Sequence, residues 1–227
     1  MSRRSPFCFF LLSILMMIFT ACSSDSGLAL PDYFMGYATI LRRTPNSDEF
    51  LIRLDDWKEY PLDISSVNMN LSGKDSARII CYYTKGKSEL NSEGNAPINP
   101  SLKLISVAPA KIPSDVSGTP IHQDNPISFV SMSKGAYYLN FLLKVSVQEK
   151  EHLFYVGAPF VVYDALGKVH LTFRLYHDQN GDYPAYYSRV YMSIPLYSYW
   201  GVLQNGGSVT VQYIDESNLL RNHKLMF

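Results

Sequence analysis

From residue 33 onward, apolar residues recur at every second position, and this periodicity confines the chain to strands. In "AYYLNFLLKVSV" (136–147), Tyr137, Leu139, Phe141, Leu143, Val145 and Val147 fall on one face, with Asn140, Lys144 and Ser146 on the other. Such a strand has one face in a core and one in water. "KVHLTFRLYHD" (168–178) likewise sets Val169, Leu171, Phe173 and Leu175 inward and His170, Thr172 and Arg174 outward. Val, Ile, Tyr, Phe and Thr fill these segments, as a pleated and half-buried surface prefers. The expected class is all-β.

The strands fall into two groups. The first comprises 33–43, 49–56, 58–64, 77–86 and 101–110, separated by turn formers such as "TPNSD" and "NSEGNAPINP". Five strands in a stretch this short, 31–110, predict a small barrel of the oligonucleotide/oligosaccharide-binding (OB) type, with an SH3-like barrel as the alternative. Residues 111–126 contain Pro113, Gly118, Pro120 and Pro126 and read as a linker. The second group fills 127–227: besides the two strands above, 152–164, 186–196, 207–215 and 222–227. Gly157 and Pro159 interrupt the first of these and predict a bulge or a break into two short strands. Short connections predict an antiparallel β-sandwich.

Residues 1–21 have the form of a secretory signal: Arg3 and Arg4, an apolar run from Phe7 to Phe19, then Thr20-Ala21-Cys22. The run is about 13 residues, short of the roughly 20 that span a bilayer as a helix. Thr20-Ala21-Cys22 resembles a bacterial lipobox, which predicts cleavage before Cys22, acylation of its thiol and a polar tether over 22–30. Lipid chains would then hold the protein to a membrane, giving it an outer-membrane lipoprotein's place in the cell envelope with its face undetermined. Of the three cysteines, this leaves Cys81 alone in the folded part, where "ARIICYYT" marks it as a small buried hydrophobe rather than a catalytic thiol. Removing Arg3 and Arg4 from 20 basic residues leaves 18 against 20 acidic, a net charge of −2. That balance argues against a nucleic-acid partner, which needs a basic footprint.

The lipobox, the run "GYATILRR…EFLIRLDDWKEYPL" and the C-terminal "VHLTFRLYHDQNGD" together resemble the NigD-like lipoproteins. The resemblance covers essentially the whole mature chain and implies an N-terminal OB-type domain followed by a C-terminal β-sandwich. Its sharpest part is the strand Leu171 to Arg174 leading into Asn180-Gly181-Asp182. It departs at "LDDWKEYPL", where Trp57 and Lys58 stand in place of the glycine expected after the acidic pair. The family name comes from association with a bacteriocin gene cluster, so the resemblance permits an immunity role. It supplies no catalytic residues.

Motifs for chemistry are sparse. The five histidines, His122, His152, His170, His177 and His223, show no metal-ligand spacing and read as solvent-facing. No cofactor fingerprint, nucleophile elbow or metalloprotease pair occurs. In "RLYHDQNGDYP" (174–184), Asp178, Asn180 and Asp182 have the alternate spacing of a calcium loop. Tyr183 and Arg189 then sit where such a loop needs Gly and Glu, so Asn180-Gly181 predicts a hairpin turn instead. The suggestive feature is aromatic: Tyr183, Tyr186, Tyr187, Tyr191, Tyr197, Tyr199 and Trp200 lie within 18 residues. Tyr197, Tyr199 and Trp200 are the candidate ligand-binding residues, for a protein or glycan partner, against the plainer role of packing a core. The expected function is a non-enzymatic binding or accessory module without a cofactor; the alternatives are bacteriocin immunity and a hydrolase with a dispersed active site.

Overall fold

The computed structural model describes residues 33–44, 47–63, 65, 67–71, 73–85, 102–116 and 123–227. The signal segment, Cys22 and its tether lie outside them. Residues 33–227 form one compact unit, and among the described residues its regular structure comprises fourteen strands and one short helix.

The first five strands are β1 (Tyr33–Arg42), β2 (Phe50–Leu54), β3 (Glu59–Leu62), β4 (Ser76–Lys85) and β5 (Leu102–Pro109). They form one antiparallel sheet in the order β3-β2-β1-β4-β5. Ala38, Ile40, Ile52, Leu54, Ile79 and Cys81 alternate along these strands onto one face, where Val67 and Leu71 close over them. Strand number and pairing suit the expected small-barrel domain, but no ladder joins β3 to β5, so the sheet is open rather than a closed barrel. β3 is only four residues long and carries Pro61, which lacks an N–H and belongs on an edge.

The remaining strands are β6 (Ser114–Asp115), β7 (Ser128–Gly135), β8 (Tyr138–Val147), β9 (Leu153–Val156), β10 (Phe160–Tyr163), β11 (Val169–Asp178), β12 (Tyr186–Pro195), β13 (Ser208–Ile214) and β14 (Leu220–Met226). The helix α1 (Trp200–Leu203) lies between β12 and β13. One sheet runs β14-β13-β11-β9-β6 with β10 also on β11, and the other runs β12-β8-β7. Between them Leu139, Phe141, Leu143 and Val145 of β8 meet Val169, Leu171, Phe173 and Leu175 of β11 in one buried cluster. This is the expected β-sandwich. The break at Gly157 and Pro159 gives β9 and β10, which pair end to end along the same edge of β11.

Three features differ from expectation. β11 and β12 do not pair: the chain leaves β11 through Asn180 (φ 54°) and Gly181 (φ 68°) and enters the other sheet, so this turn is a crossing between sheets and not a hairpin. β13 consequently returns beside β11 in parallel. At the start of the 111–126 segment, Lys111 exchanges backbone hydrogen bonds with Tyr191 and Ser193, and β6 pairs in parallel with β9, so residues 111–116 are stitched to both sheets. Finally, Asn140 is 1 % exposed. This end of its face of β8 meets the N-terminal sheet rather than water, while Lys144 on the same face is exposed as expected.

Candidate functional site

The junction of the N-terminal sheet with the β12-β8-β7 sheet is built around Arg78. In β4, Arg78 alternates with Ile79 and Cys81 and therefore points away from the N-terminal core, toward the sandwich. Its side chain has no exposure. It donates from Nη2 to Asp55 Oδ2 at 2.7 Å and Asn140 Oδ1 at 2.8 Å, from Nη1 to Thr39 Oγ1 at 3.0 Å and from Nε to Ser193 Oγ at 3.2 Å. Asn140 Nδ2 donates to the same Asp55 oxygen at 2.6 Å, and Ser193 donates to Asn140 Oδ1 at 2.8 Å. The guanidinium also lies 4.2 Å from the ring centre of Tyr138 and 5.5 Å from that of Tyr37. Burial of a charge is tolerable here because the ion is paired and nearly every donor is used. Gly135 makes room for it: a Cβ there would lie 2.1 Å from Asp55 Oδ2 and force that side chain to shift.

An aromatic patch surrounds this clasp. Asp55, Asp56 and Trp57 form the β2–β3 turn, closed by Trp57 N–H to Leu54 O at 3.0 Å and Leu54 N–H to Lys58 O at 2.9 Å. Trp57 has φ 70°, the left-handed position that favours glycine in such three-residue loops. In the β7–β8 turn Tyr137 has φ 62°. Bulky residues in this conformation are genuine outliers, each costing about 1–3 kcal/mol. The two strained rings meet edge to face at 4.6 Å. Trp200 packs on both, at 5.8 Å from Trp57 and 5.6 Å from Tyr137, and Phe227 packs on Trp200 at 5.6 Å. Tyr197 lies 5.2 Å from Tyr137 and shares a hydrogen bond between hydroxyls with Tyr138. Burial of its hydroxyl and that bond raise the Tyr197 phenol and keep it protonated. Trp57 is 46 % and Tyr197 54 % exposed, so the patch is a surface feature.

The structure separates the three candidate residues. Tyr197 is exposed in the patch, Trp200 is half-buried within it, and Tyr199 precedes α1 packed against the sandwich core. Trp57 and Tyr137 come from other turns and are invisible to a search within one run. Their only sequence signal is an aromatic residue where a turn calls for glycine. Of the other tyrosines, Tyr183, Tyr186 and Tyr187 are exposed elsewhere, and Tyr191 contacts Tyr37.

The histidines also depart from expectation. His177 is 0 % and His152 5 % exposed. His177 Nδ1 faces the carbonyls of Pro126 (3.2 Å) and Asn125 (3.3 Å), its Nε2 lies 2.9 Å from His152 Nδ1, and His152 Nε2 lies 3.2 Å from Asp182 Oδ2. Each of these contacts needs one hydrogen. Asp182 also accepts Gln148 N–H at 2.7 Å and Glu149 N–H at 3.2 Å, and these backbone bonds hold its carboxyl well below the usual range. Burial, then the neighbouring His152, lower His177 to about 4, so it refuses a second proton. The chain of groups ends on carbonyls rather than on a nucleophile. It fastens the 148–152 segment to the crossing turn.

Asp178 turns the other way and accepts Asn180 N–H at 2.7 Å, so the carboxylates of 178–182 do not converge. Among the described residues no group of three His, Cys, Asp or Glu is placed to hold a metal ion. Cys81 is buried, and desolvation pushes its thiol up to about 12, which leaves no thiolate at neutral pH.

Residues 114–226 match the family model for the NigD-like C-terminal beta sandwich domain. Solved structures share the architecture. A toxin-related protein from Parabacteroides distasonis aligns with TM-score 0.60 and 16 % identity over 86 % of this chain and 93 % of its own. A NigD-like immunity protein from Bacteroides caccae gives TM-score 0.55 and 20 % identity over 85 % and 92 %. A protein of unknown function from Bacteroides vulgatus gives TM-score 0.60 and 10 % identity over 86 % and 91 %. At these identities the likeness is one of fold. A search of curated proteins found no match.

Proposed function

Since the chain belongs to the NigD-like proteins through its C-terminal β-sandwich, we propose that it is a non-enzymatic binding module of the cell envelope, held to the outer membrane by lipid on Cys22. The observation that carries this reading is the surface patch of exposed Trp57 and Tyr197 with half-buried Tyr137 and Trp200, in which two aromatic residues occupy strained left-handed positions. Strain of this kind persists where presenting the side chain matters more than the local backbone. Tyr and Trp offer broad apolar faces with a polar tip, suited to a glycan or a protein surface.

The test compares wild type, Trp57→Gly and Tyr197→Ala on an envelope-glycan array and on intact envelopes. Both variants should fold, and both should lose capture; unchanged capture by both refutes the patch as the binding surface. For the anchor, radiolabelled palmitate should enter the wild-type chain and not Cys22→Ala. Label in both would remove the lipidation of Cys22.

A second reading is bacteriocin immunity, favoured by the name of the Bacteroides caccae structural neighbour. Deletion of the gene should then raise bacteriocin sensitivity, and unchanged sensitivity would dismiss this reading.

A further inference from the structure

β12 is the outer strand of the β12-β8-β7 sheet, so one of its edges carries no further strand of that sheet. The backbone groups on this edge belong to alternate residues: Lys111 N–H donates to Tyr191 O at 2.8 Å, and Ser193 N–H donates to Lys111 O at 2.9 Å. Tyr187 and Arg189 stand in the same phase. Among the described residues, neither has a backbone hydrogen bond on that edge. Lys111 thus occupies one end of the edge as a single parallel bridge opposite Met192. The strand is buried there, at Met192, Ser193 and Ile194, whereas toward its start Tyr186, Tyr187 and Arg189 are exposed.

A cleft runs along this bare end. After β5 the chain reaches β12 only at Lys111, and the wedge between Pro109 and β12 holds a cavity of about 480 Å³. Val145, Val190 and Phe154 of the sandwich core line it, together with Tyr186, Ser188 and Arg189 from the bare stretch. The 148–151 segment forms a further wall. In this lining three cations, Lys111, Lys150 and Arg189, face two carboxylates, Glu149 and Glu151. Lys111 pairs with Glu151 at 2.8 Å and Lys150 donates to Gly181 O at 3.0 Å, whereas Arg189 forms no ion pair among the described residues.

A strand edge with bare N–H and C=O groups is a template for an added strand. Here the bare edge runs beside a cavity, which a single extended segment fits, while the edge of a second folded sheet would meet the walls at Pro109 and 148–151. We propose that this cleft takes an extended peptide, added as a strand to the 187–191 edge of β12 beside Lys111, with apolar side chains on one face and an acidic side chain at Arg189. Strand alternation sets the pattern: every second side chain of the peptide points between the two sheets toward Val145, Val190 and Phe154, and the others face Pro109 and Arg189. This surface is separate from the aromatic patch, since Tyr197 follows the opposite end of β12, and either can fail without the other.

The probe is a library of end-blocked hexapeptides that alternate Val, Ile or Phe with Thr or Glu, titrated into the full chain while amide exchange is followed by NMR. In the free protein the Tyr187 and Arg189 amides should exchange fast, and those of Ser188 and Val190, which face β8, slowly. Bound peptide should slow Tyr187 and Arg189 by about tenfold or more and leave Ser188 and Val190 unchanged. N-methylation of alternate peptide residues should abolish binding in one phase and spare it in the other, because only one edge of the peptide meets β12. Arg189→Pro removes an N–H that the fold does not use and should weaken the tightest peptide by about tenfold or more, with Arg189→Ala losing less. Should Arg189→Pro not fold, the exchange pattern and the two N-methyl phases still decide. Absence of binding across the library, binding that leaves Tyr187 and Arg189 exchanging fast, or equal binding by both N-methyl phases would overturn the proposal. Protection of both amides without peptide, in a chain that self-associates, would overturn it too and assign the edge to a second copy.

Discussion

Two buried polar networks among the described residues are built on opposite terms. The clasp at Arg78 joins two sheets with a cation that stays charged at any pH the fold survives. The chain Asp182–His152–His177 joins a segment and a turn and ends on a ring, His177, that titrates. Both satisfy nearly all their hydrogen bonds, so both look equally secure in a static structure. They should differ in what breaks them: the first by removing a partner, the second by adding protons.

Arg78→Met should have the largest effect. It leaves the Asp55 carboxylate buried without its cation and should cost about 3–5 kcal/mol. For a chain of this size that lowers the melting temperature by about 10 °C. Adding Asp55→Asn to the same chain should recover most of the loss; no recovery would mean that the guanidinium matters for packing rather than for charge. Acid comes next. His177 takes its proton near 4 in the fold and near 6.5 when unfolded, so between these values the unfolded chain binds more protons. Stability is therefore full above about 6.5 and declines by about 3 kcal/mol as pH falls through about 4. Asp182, held low, adds a loss of the same sign at still lower pH. Urea unfolding at stepped pH should show this decline, and His177→Phe should flatten it, whereas an unchanged slope would exonerate the histidines.

Gly135→Ala is expected to be intermediate. Its new methyl must push the Asp55 carboxylate aside while the pair with Arg78 adjusts, an overpacking cost of about 1–3 kcal/mol, measurable by thermal melting. Trp57→Gly should change least, within about 1 kcal/mol, because relief of the left-handed strain offsets the lost ring contacts. A larger loss would mean that Trp57 packs the junction more than it serves the surface.

Period-two alternation made β1, β4, β8 and β11 legible, because a core on one side writes itself into every second residue. β7 was not legible. "SFVSMSKG" is an edge strand with few inward residues, and only Phe129 and Met132 pack against the core. Alternation also reports that a strand has two faces without saying what covers the second, which is why Asn140 looked wet and the role of Arg78 went unseen. Asn180-Gly181 specifies a left-handed turn, yet the sheet that receives the next strand is decided by distant packing. His152 and His177 meet across 25 residues on different strand ends, a proximity that no spacing rule contains. The aromatic run was visible as composition; its organisation around Trp57 and Tyr137 required the fold.

The described fold begins at Tyr33, the first residue of the central strand of its sheet, flanked by β4 from that residue on and by β2 further along. Tension entering there acts along the strand direction and loads both ladders in shear, where many hydrogen bonds must yield together instead of peeling one by one. A pull applied at this residue would therefore meet a strand paired on both edges rather than a free edge.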